Sequence, residues 1–255
     1  MKIALCHLEI SQGPEQKNIE LIEQAVRLAA DHGAKWIVTP ETAVQGYYFY
    51  KLNPAVTVDQ QPTVKLNRLA ALVKAYGLFL FLGCGEYDSQ LKCNFNSCII
   101  WGPDGKICGR HRKLISHGIG AEAWAKQATA LEPVACSGIK VGALVCADAW
   151  YSEHAQVMQQ EGAQIIIDIA AWPPTEVCGN PLGAWENCSA VTGLPMLVCN
   201  QTGNTEWMDM TLGQSVAIEA GKTKLSYCGE QAVLLFDWDK QSGKILSDKF
   251  TVLKI

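Results

Sequence analysis

Three residues stand out because their side chains together could cleave an amide: Glu41, Lys113 and Cys146. A thiol is a poor nucleophile until it loses its proton. A carboxylate within hydrogen-bond reach can take that proton and later hand it to a leaving amine. An ammonium beside them favours the thiolate and neutralises the oxyanion of a tetrahedral intermediate. The same carboxylate can then activate water against the thioester. Cys, Glu and Lys therefore suffice for amide hydrolysis through an acyl-enzyme. Each residue also has a plainer reading. A Glu after a strand is often a solvated loop charge. A Lys in the run Arg110-His111-Arg112-Lys113 suits a solvated or salt-bridged face, and a Cys after Val-Gly-Ala-Leu-Val suits a core. Spacing alone leaves both readings open.

The elements around them share one feature. Glu41 follows a predicted strand, Lys35–Thr39, and Pro40; Lys113 ends a strand begun at Lys106; Cys146 ends one spanning Ile139–Cys146. Loops just past the carboxyl ends of strands are where α/β folds place their chemistry. Residues 2–10 read as a strand buried on both faces. Residues 17–32 switch to helical spacing, with Ile19, Ile22, Val26 and Ala29 on one face and Gly33 as the stop. Val64, Leu69, Leu72, Val73 and Tyr76 suit a helix ended by Gly77, and Leu78–Cys84 a strand. Asn96–Trp101 and Lys106–His111 flank the turn Gly102-Pro103-Asp104-Gly105. Further on, the spacing predicts helices over 152–161 and 182–192. Strands are predicted over Ala163–Ile169, Met196–Asn200, Gly213–Glu219, Thr223–Tyr227 and Ala232–Trp238, the last closing the sheet. Strands alternate with helices and include hairpins, so the sheets should be mixed and covered on their outer faces. No linker, low-complexity segment or charge block interrupts the chain, and residues 1–255 read as one domain.

Composition narrows the function classes. Of 255 residues, 49% are hydrophobic and 18% charged, which suits a soluble fold with a sizeable core. The net charge of −4 lacks the basic stripe that a nucleic acid would need. No Lys/Arg run flanks an amphipathic helix, and no stretch of about 18 apolar residues occurs, so no membrane partner is expected. Eleven cysteines, an odd number spread along the chain, do not make a disulfide framework. Most sit in apolar runs, where Cys behaves as a small buried hydrophobe. With His7 and Glu9 inside its apolar run, the N-terminal segment does not read as a signal peptide. A reducing, cytoplasmic setting follows as the expectation.

Several segments carry a resemblance. Thr39-Pro40-Glu41-Thr42-Ala43-Val44-Gln45-Gly46-Tyr47 resembles the P-E-x-x-x-x-G-Y segment of the nitrilase superfamily of carbon–nitrogen hydrolases, in its amidase-like branch. His111-Arg112-Lys113-Leu114 resembles its Y-R-K-x segment. Gly142-Ala143-Leu144-Val145-Cys146-Ala147-Asp148 is similar to G-x-x-x-C-x-D, with Glu153 in the place of a downstream acidic residue. Ile167-Asp168-Ile169-Ala170-Ala171-Trp172-Pro173 is similar to a family strand and A-x-W-P turn. Trp185-Glu186-Asn187, Cys199-Asn200-Gln201-Thr202-Gly203 and Leu212-Gly213-Gln214-Ser215 resemble the later blocks. The blocks fall in family order over roughly residues 3–238, and the ordered set is far more specific than any one of them. The resemblance implies a four-layer αββα sandwich, two mixed sheets covered by helices, with a catalytic triad of Glu41, Lys113 and Cys146. It implies a second glutamate, best matched by Glu122, that positions Lys113 or the substrate, and the Ala147 N–H as a second oxyanion donor. It implies a small-molecule amide as substrate, no cofactor, no metal, and a homo-oligomer, a dimer or larger.

Departures from the pattern shape the substrate expectation. Cys146-Ala147-Asp148 is closer to the amidase branch's C-Y-D than to the C-W-E of nitrilases proper, yet it lacks the aromatic. Ala149-Trp150 replaces an R-F, removing an arginine that some members turn toward a substrate carboxylate. Ile115 stands where the family has a histidine, leaving His117 nearby; Ala184-Trp185 replaces R-A. A small, neutral amide is therefore expected over a nitrile or a carboxylated ureide. Tyr47, Tyr48, Phe49, Tyr50, Trp124, Trp150 and Trp172 all lie near these blocks, and Tyr47 and Trp172 are the chosen pocket residues, suited to an apolar or flat acyl group. Rival readings are weaker. The C-G-S-C-W of papain-like proteases and the G-x-S-x-G of serine hydrolases are missing, and no C-x-x-C supports zinc. An acyltransferase that intercepts the thioester with an amine is a variant of the same chemistry. The non-enzyme alternative is a degenerate member that binds a small molecule or a protein without turnover.

Overall fold

The computed structural model describes residues 1–116 and 118–255. Its frame is set by strands whose side chains alternate between two burial environments. In β1 (Lys2–His7), Ile3 and Leu5 pack into one apolar cluster, while Ala4 and Cys6 pack into another. β2 (Ala34–Val38) does the same with Trp36 and Val38 against Ile37. So does β3 (Phe79–Asp88), with Phe79 and Phe81 against Leu80 and Leu82. Period-2 alternation with both faces apolar is what a sheet needs when another sheet covers one side and helices the other.

The helices on the first sheet are α1 (Glu15–Asp31) and α3 (Asn67–Tyr76); a short α2 (Phe49–Leu52) lies between them in sequence. α1 buries Ile19, Ile22, Val26 and Ala29, the face predicted from spacing. Each large aliphatic side chain so buried contributes about 1.5–3 kcal/mol. α3 ends at Gly77, which adopts the left-handed conformation that a Cβ would disfavour. The first sheet continues through β4 (Cys93–Trp101) and β5 (Ile107–Arg112). The second sheet is built from β6 (Val134–Cys136), β7 (Ile139–Val145), β8 (Ile165–Ala170), β9 (Met196–Asn200), β10 (Ser215–Glu219) and β11 (Lys222–Tyr227). Its outer face is covered by α4 (Ser152–Gln160) and α5 (Pro181–Thr192). The chain then returns to the first sheet with β12 (Ala232–Asp239), β13 (Lys244–Ile245) and β14 (Thr251–Lys254).

Strand order is β13-β12-β1-β2-β3-β4-β5 in the first sheet, with β14 also on β12, and β11-β10-β9-β8-β7-β6 in the second. β1, β2 and β3 run parallel, as do β7, β8 and β9, and antiparallel strands flank both sets. The result is the expected four-layer αββα sandwich of two mixed sheets. No helix among the described residues is long and apolar enough to cross a membrane.

Some boundaries differ from expectation. The first strand stops at His7 rather than residue 10, because Leu8 and Ile10 are buried beneath loops: the Leu8 carbonyl accepts the Thr202 N–H and the Ile10 carbonyl the Asn18 side chain. An apolar run here outlasts its sheet pairing. β12 does not close the sheet but lies inside it, with β13 and β14 beyond. β14 is largely exposed and β6 is three residues long, so neither leaves an apolar pattern to read. Lys113 and Cys146 stand one residue past β5 and β7 rather than inside them.

One glycine fixes how closely β3 approaches the loop after β2. A Cβ on Gly83 would lie 2.0 Å from the Pro40 carbonyl oxygen and 2.9 Å from the Thr42 nitrogen, the residues on either side of Glu41. Gly83→Ala should therefore destabilise the protein by about 1–3 kcal/mol, read as a lower urea midpoint. An unchanged midpoint would show that the two segments separate freely.

Candidate active site

The run Arg110-His111-Arg112-Lys113 shows how strand geometry sorts a charged sequence. Alternation sends Arg110 and Arg112 to one face, where both pair with Glu86, Arg110 at 2.9 Å. It sends His111 and Lys113 inward, where both are buried. The plainer reading of Lys113 as a solvated charge is thereby overturned: the side chain is 1% exposed.

Lys113 Nζ lies 2.7 Å from Glu41 Oε1 and also pairs with Glu122 Oε1. Burial alone would strip the proton from an ammonium. Glu122 and Glu41 outweigh that penalty and hold Lys113 well above its usual range. Glu41 is pushed the other way. Burial raises its carboxyl to about 7, against the pull of Lys113 and with Glu122 adding repulsion. Three N–H groups fix it: Asn96 Nδ2 donates to Oε1 at 2.7 Å, Lys113 to the same oxygen, and the Ala171 N–H to Oε2 at 3.1 Å. Its backbone carbonyl accepts the Gln201 amide at 2.7 Å. Tyr47 donates to Glu122 at 3.5 Å, and burial together with Glu122 keeps its phenol well above 10.

Cys146 comes from the other sheet. It opens a short 3-10 helix, Cys146–Trp150, with φ of 54°, in the left-handed region that only glycine adopts without strain. Such a sharp exit from a strand presents the side chain away from the sheet. Its thiol and the Glu41 carboxyl act on each other electrostatically. Burial raises the thiol well above 9, Glu41 adds to this and Lys113 opposes it. The resting site therefore holds a thiol beside a carboxyl that can take its proton, rather than a standing thiolate. Asp148 ties the two halves together. It accepts the Leu114 and Ile115 N–H groups at 2.9 Å each, the Val145 N–H at 3.2 Å, and pairs with His111 at 2.8 Å. The loop carrying Lys113 and the turn carrying Cys146 thus share one carboxylate.

Above these groups lies a cavity of about 600 Å³. Tyr47, Lys113, Cys146, Ala147 and Trp172 line it, so the chosen pocket residues are brought to one place. Trp150, half exposed, leans on Trp172 at 5.6 Å between ring centres. Tyr48, Phe49, Tyr50 and Trp124 belong instead to small apolar clusters outside the lining. Glu122 is buried behind Lys113, and Glu153 is exposed on α4. His117 lies outside the described residues. Among those described, no group of three or more His, Cys, Asp or Glu side chains is set to hold a metal ion. Asn96, Gln201, His111 and Asp148 also act on the site; Asp148 was read only as the acidic end of the Cys-x-Asp block, and the other three were given no role. The available signal was a polar side chain in an otherwise apolar strand or block.

Two mixed sheets face to face, helices outside and these groups between them, define the nitrilase-type carbon–nitrogen hydrolase sandwich. A family model described as carbon-nitrogen hydrolase matches residues 2–235, and the chain belongs to that family. It is similar to a citrullinase from Francisella tularensis, 32% identical over 66% of this chain and 60% of that protein. It is also similar to a glutamine-dependent NAD(+) synthetase from Thermotoga maritima, 24% identical over 94% of this chain and 42% of that one. The chain thus spans no more than 60% of either relative's length. Among solved structures, Saccharomyces cerevisiae Nit3 superposes with a TM-score of 0.82 at 19% identity, covering 94% of this chain and 90% of Nit3. The NitN amidase of Nesterenkonia sp. AN1 superposes with a TM-score of 0.82 at 21%, covering 95% and 94%.

The buried charges make a signed prediction. Lys113→Met leaves two carboxyls with no ammonium between them, and both should bind protons more tightly. A carboxyl whose folded pKa exceeds its unfolded value, about 4.5, stabilises at low pH and loses that contribution as pH rises through the folded value. Urea unfolding should show the variant weaker by about 3–5 kcal/mol at pH 8, with the gap narrowing at pH 5. An equal gap at both pH values would mean that the carboxyls do not carry the effect.

Proposed function

We propose that this chain hydrolyses a small, neutral amide through a thioester on Cys146, working as one cytoplasmic hydrolase domain in a homo-oligomer. The observation that carries the reading is that Cys146 and Lys113 line one aromatic cavity, with Glu41 buried against Lys113. Glu41 takes the thiol proton as sulfur attacks the carbonyl carbon. The oxyanion is met by Lys113 and the Ala147 N–H. Glu41 returns the proton to the leaving nitrogen as the C–N bond breaks, releasing ammonia or an amine. Water, deprotonated by Glu41, then opens the thioester, and the sulfur regains a proton as the acid leaves. Glu122 holds Lys113 in place. A carboxyl raised to about 7 by burial suits both halves, since it must accept and release a proton near neutrality.

The cavity supports a neutral acyl group. Among the described residues Lys113 is its one lining cation, and that charge is already met by Glu41 and Glu122; Glu176 is the acidic residue at the rim. A substrate carboxylate would enter with no unmatched partner. The Tyr47, Trp150 and Trp172 rings suit an apolar or flat group instead. The relatives include a citrullinase and omega-amidases, which fits a small carbon–nitrogen substrate. A variant of the Nesterenkonia amidase carries acrylamide added at its active-site cysteine, which fits a thiol nucleophile in this frame.

Ammonia release from aliphatic and aromatic amides, N-carbamoyl amines, nitriles and carboxylated amides tests this. Neutral amides should exceed carboxylated ones by about tenfold or more in kcat/KM. Cys146→Ala and Glu41→Gln should abolish turnover while the fold survives; wild-type activity in either would refute the mechanism. Because the base must be ionised, activity should fall on the acid side of about pH 7. No release from any substrate would favour a binding role without turnover.

A further inference from the structure

Asp168 belongs to a segment singled out by sequence, yet the chemistry above gives it no task. It is fully buried in β8 and faces α5 rather than the cavity. Its Oδ1 accepts the backbone N–H of Cys146 at 2.6 Å, and its Oδ2 accepts the Trp185 indole N–H at 2.7 Å. Both donors have no lone pair to offer in return, so two acceptor oxygens at this point are what the geometry demands. Cys146 needs such a hold. Its backbone is in the left-handed region, which is strained for a residue with a Cβ and persists only when the surroundings impose it.

The second oxygen links the same carboxyl to the pocket wall. Trp185 packs edge-on against Trp172 at 5.6 Å, and Trp172 against Trp150 at 5.6 Å. One buried side chain therefore bridges the nucleophile's backbone and the aromatic stack that lines the cavity.

We infer that Asp168 is a positioning residue for the nucleophile: its two oxygens, anchored by Trp185, hold the Cys146 backbone in the conformation that aims the thiol at Glu41 and the cavity. The inference rests on the reading of Cys146 as the attacking group. Asp168 works as a clasp and not as a charge that drives the thiol's ionisation. The ionisable groups that interact with it electrostatically are Cys146 and Asp148 on the turn after β7, Cys188 on α5, and Glu41 and Cys98 from the first sheet. None of these is a cation, so a negative Asp168 would work against the thiolate.

Asp168→Asn tests the idea, because an amide offers one acceptor oxygen to two N–H donors. The experiment pairs steady-state kinetics on a turned-over amide with iodoacetamide labelling, mapped by peptide mass. Cys108 and Cys228, both exposed, serve as internal controls. A displaced nucleophile should lower kcat by about tenfold to a hundredfold with KM within about twofold. Labelling of Cys146 should slow in parallel while Cys108 and Cys228 label at wild-type rates. Labelling of Cys146 as fast as wild type, or faster, would overturn the proposal; faster labelling would show that removing a nearby negative charge matters more than the clasp. If Asp168→Asn fails to fold, Trp185→Phe decides, since it removes the anchoring N–H together with part of the buried ring, and Trp185→Leu, which removes the same N–H with a different shape, serves as its control: slower Cys146 labelling in both supports the clasp, and an unchanged rate in either overturns it. Labelling needs no substrate, so this test stands even if the hydrolase reading fails for want of turnover.

Discussion

The site depends on one buried ammonium held between two carboxyls. Lys113 is out of contact with water, where a lone charge would be neutralised or expelled. Glu41 and Glu122 retain its charge by pairing with it in a buried space. Burial pushes the Glu41 carboxyl up to about 7, against the pull of Lys113 and with repulsion from Glu122 adding to it. A carboxyl held near 7 can exchange a proton at neutral pH. The thiol's own proton is held tightly by burial.

That cluster constrains the architecture around it. Glu41 and Lys113 leave the first sheet from strands separated by β3 and β4, while Cys146 leaves the second sheet. The three meet only if the sheets pack face to face in a fixed relation. The apolar filling between them, Ile3, Leu5, Trp36, Val38 and Phe81 against Val141, Ala143, Ile165 and Ile167, supplies the packing but not the register. Register is held by polar clasps that cross the interface: Asp148 between the Lys113 loop and the Cys146 turn, and Ala171 and Gln201 from the second sheet onto Glu41. Hydrophobic contact is non-directional; hydrogen bonds of this kind set positions to a few tenths of an ångström.

This division explains what could be read from the sequence. Ile3 to Cys6, Trp36 to Val38 and the Ile19–Ile22–Val26–Ala29 face wrote themselves as periodic apolar patterns, because burial is imposed on them by near neighbours in the same element. Glu41 and Cys146 were legible from their place just past such strands and from the ordered blocks around them. Lys113 was harder, since its run reads as four positive or titratable residues until alternation separates Arg110 and Arg112 from His111 and Lys113. Asn96 was legible only as a polar residue in apolar surroundings, and Asp148 only as the acidic end of the block that carries Cys146. Their partners lie 55 residues away for Asn96 and 37 for Asp148, and no local pattern encodes such a pairing. β6 and β14 escaped because a three-residue strand and an exposed edge strand bury too little to leave a pattern.

On the proposed acyl-enzyme mechanism, the clasps also bear on what the thioester can meet. Glu41 is fixed by Asn96, Lys113 and Ala171, so it cannot swing between a position for the thiol and another for water. Both steps must use one place, which the leaving amine vacates before water enters. A cavity lined by Trp150 and Trp172 and opening on exposed Val177 and Ile119 offers the amine a way out and water the same way in. An amine other than the leaving one would have to occupy that place too. Hydrolysis and acyl transfer then differ only in which nucleophile reaches Glu41 first, so the rim of the cavity, and not the triad, sets the balance between them.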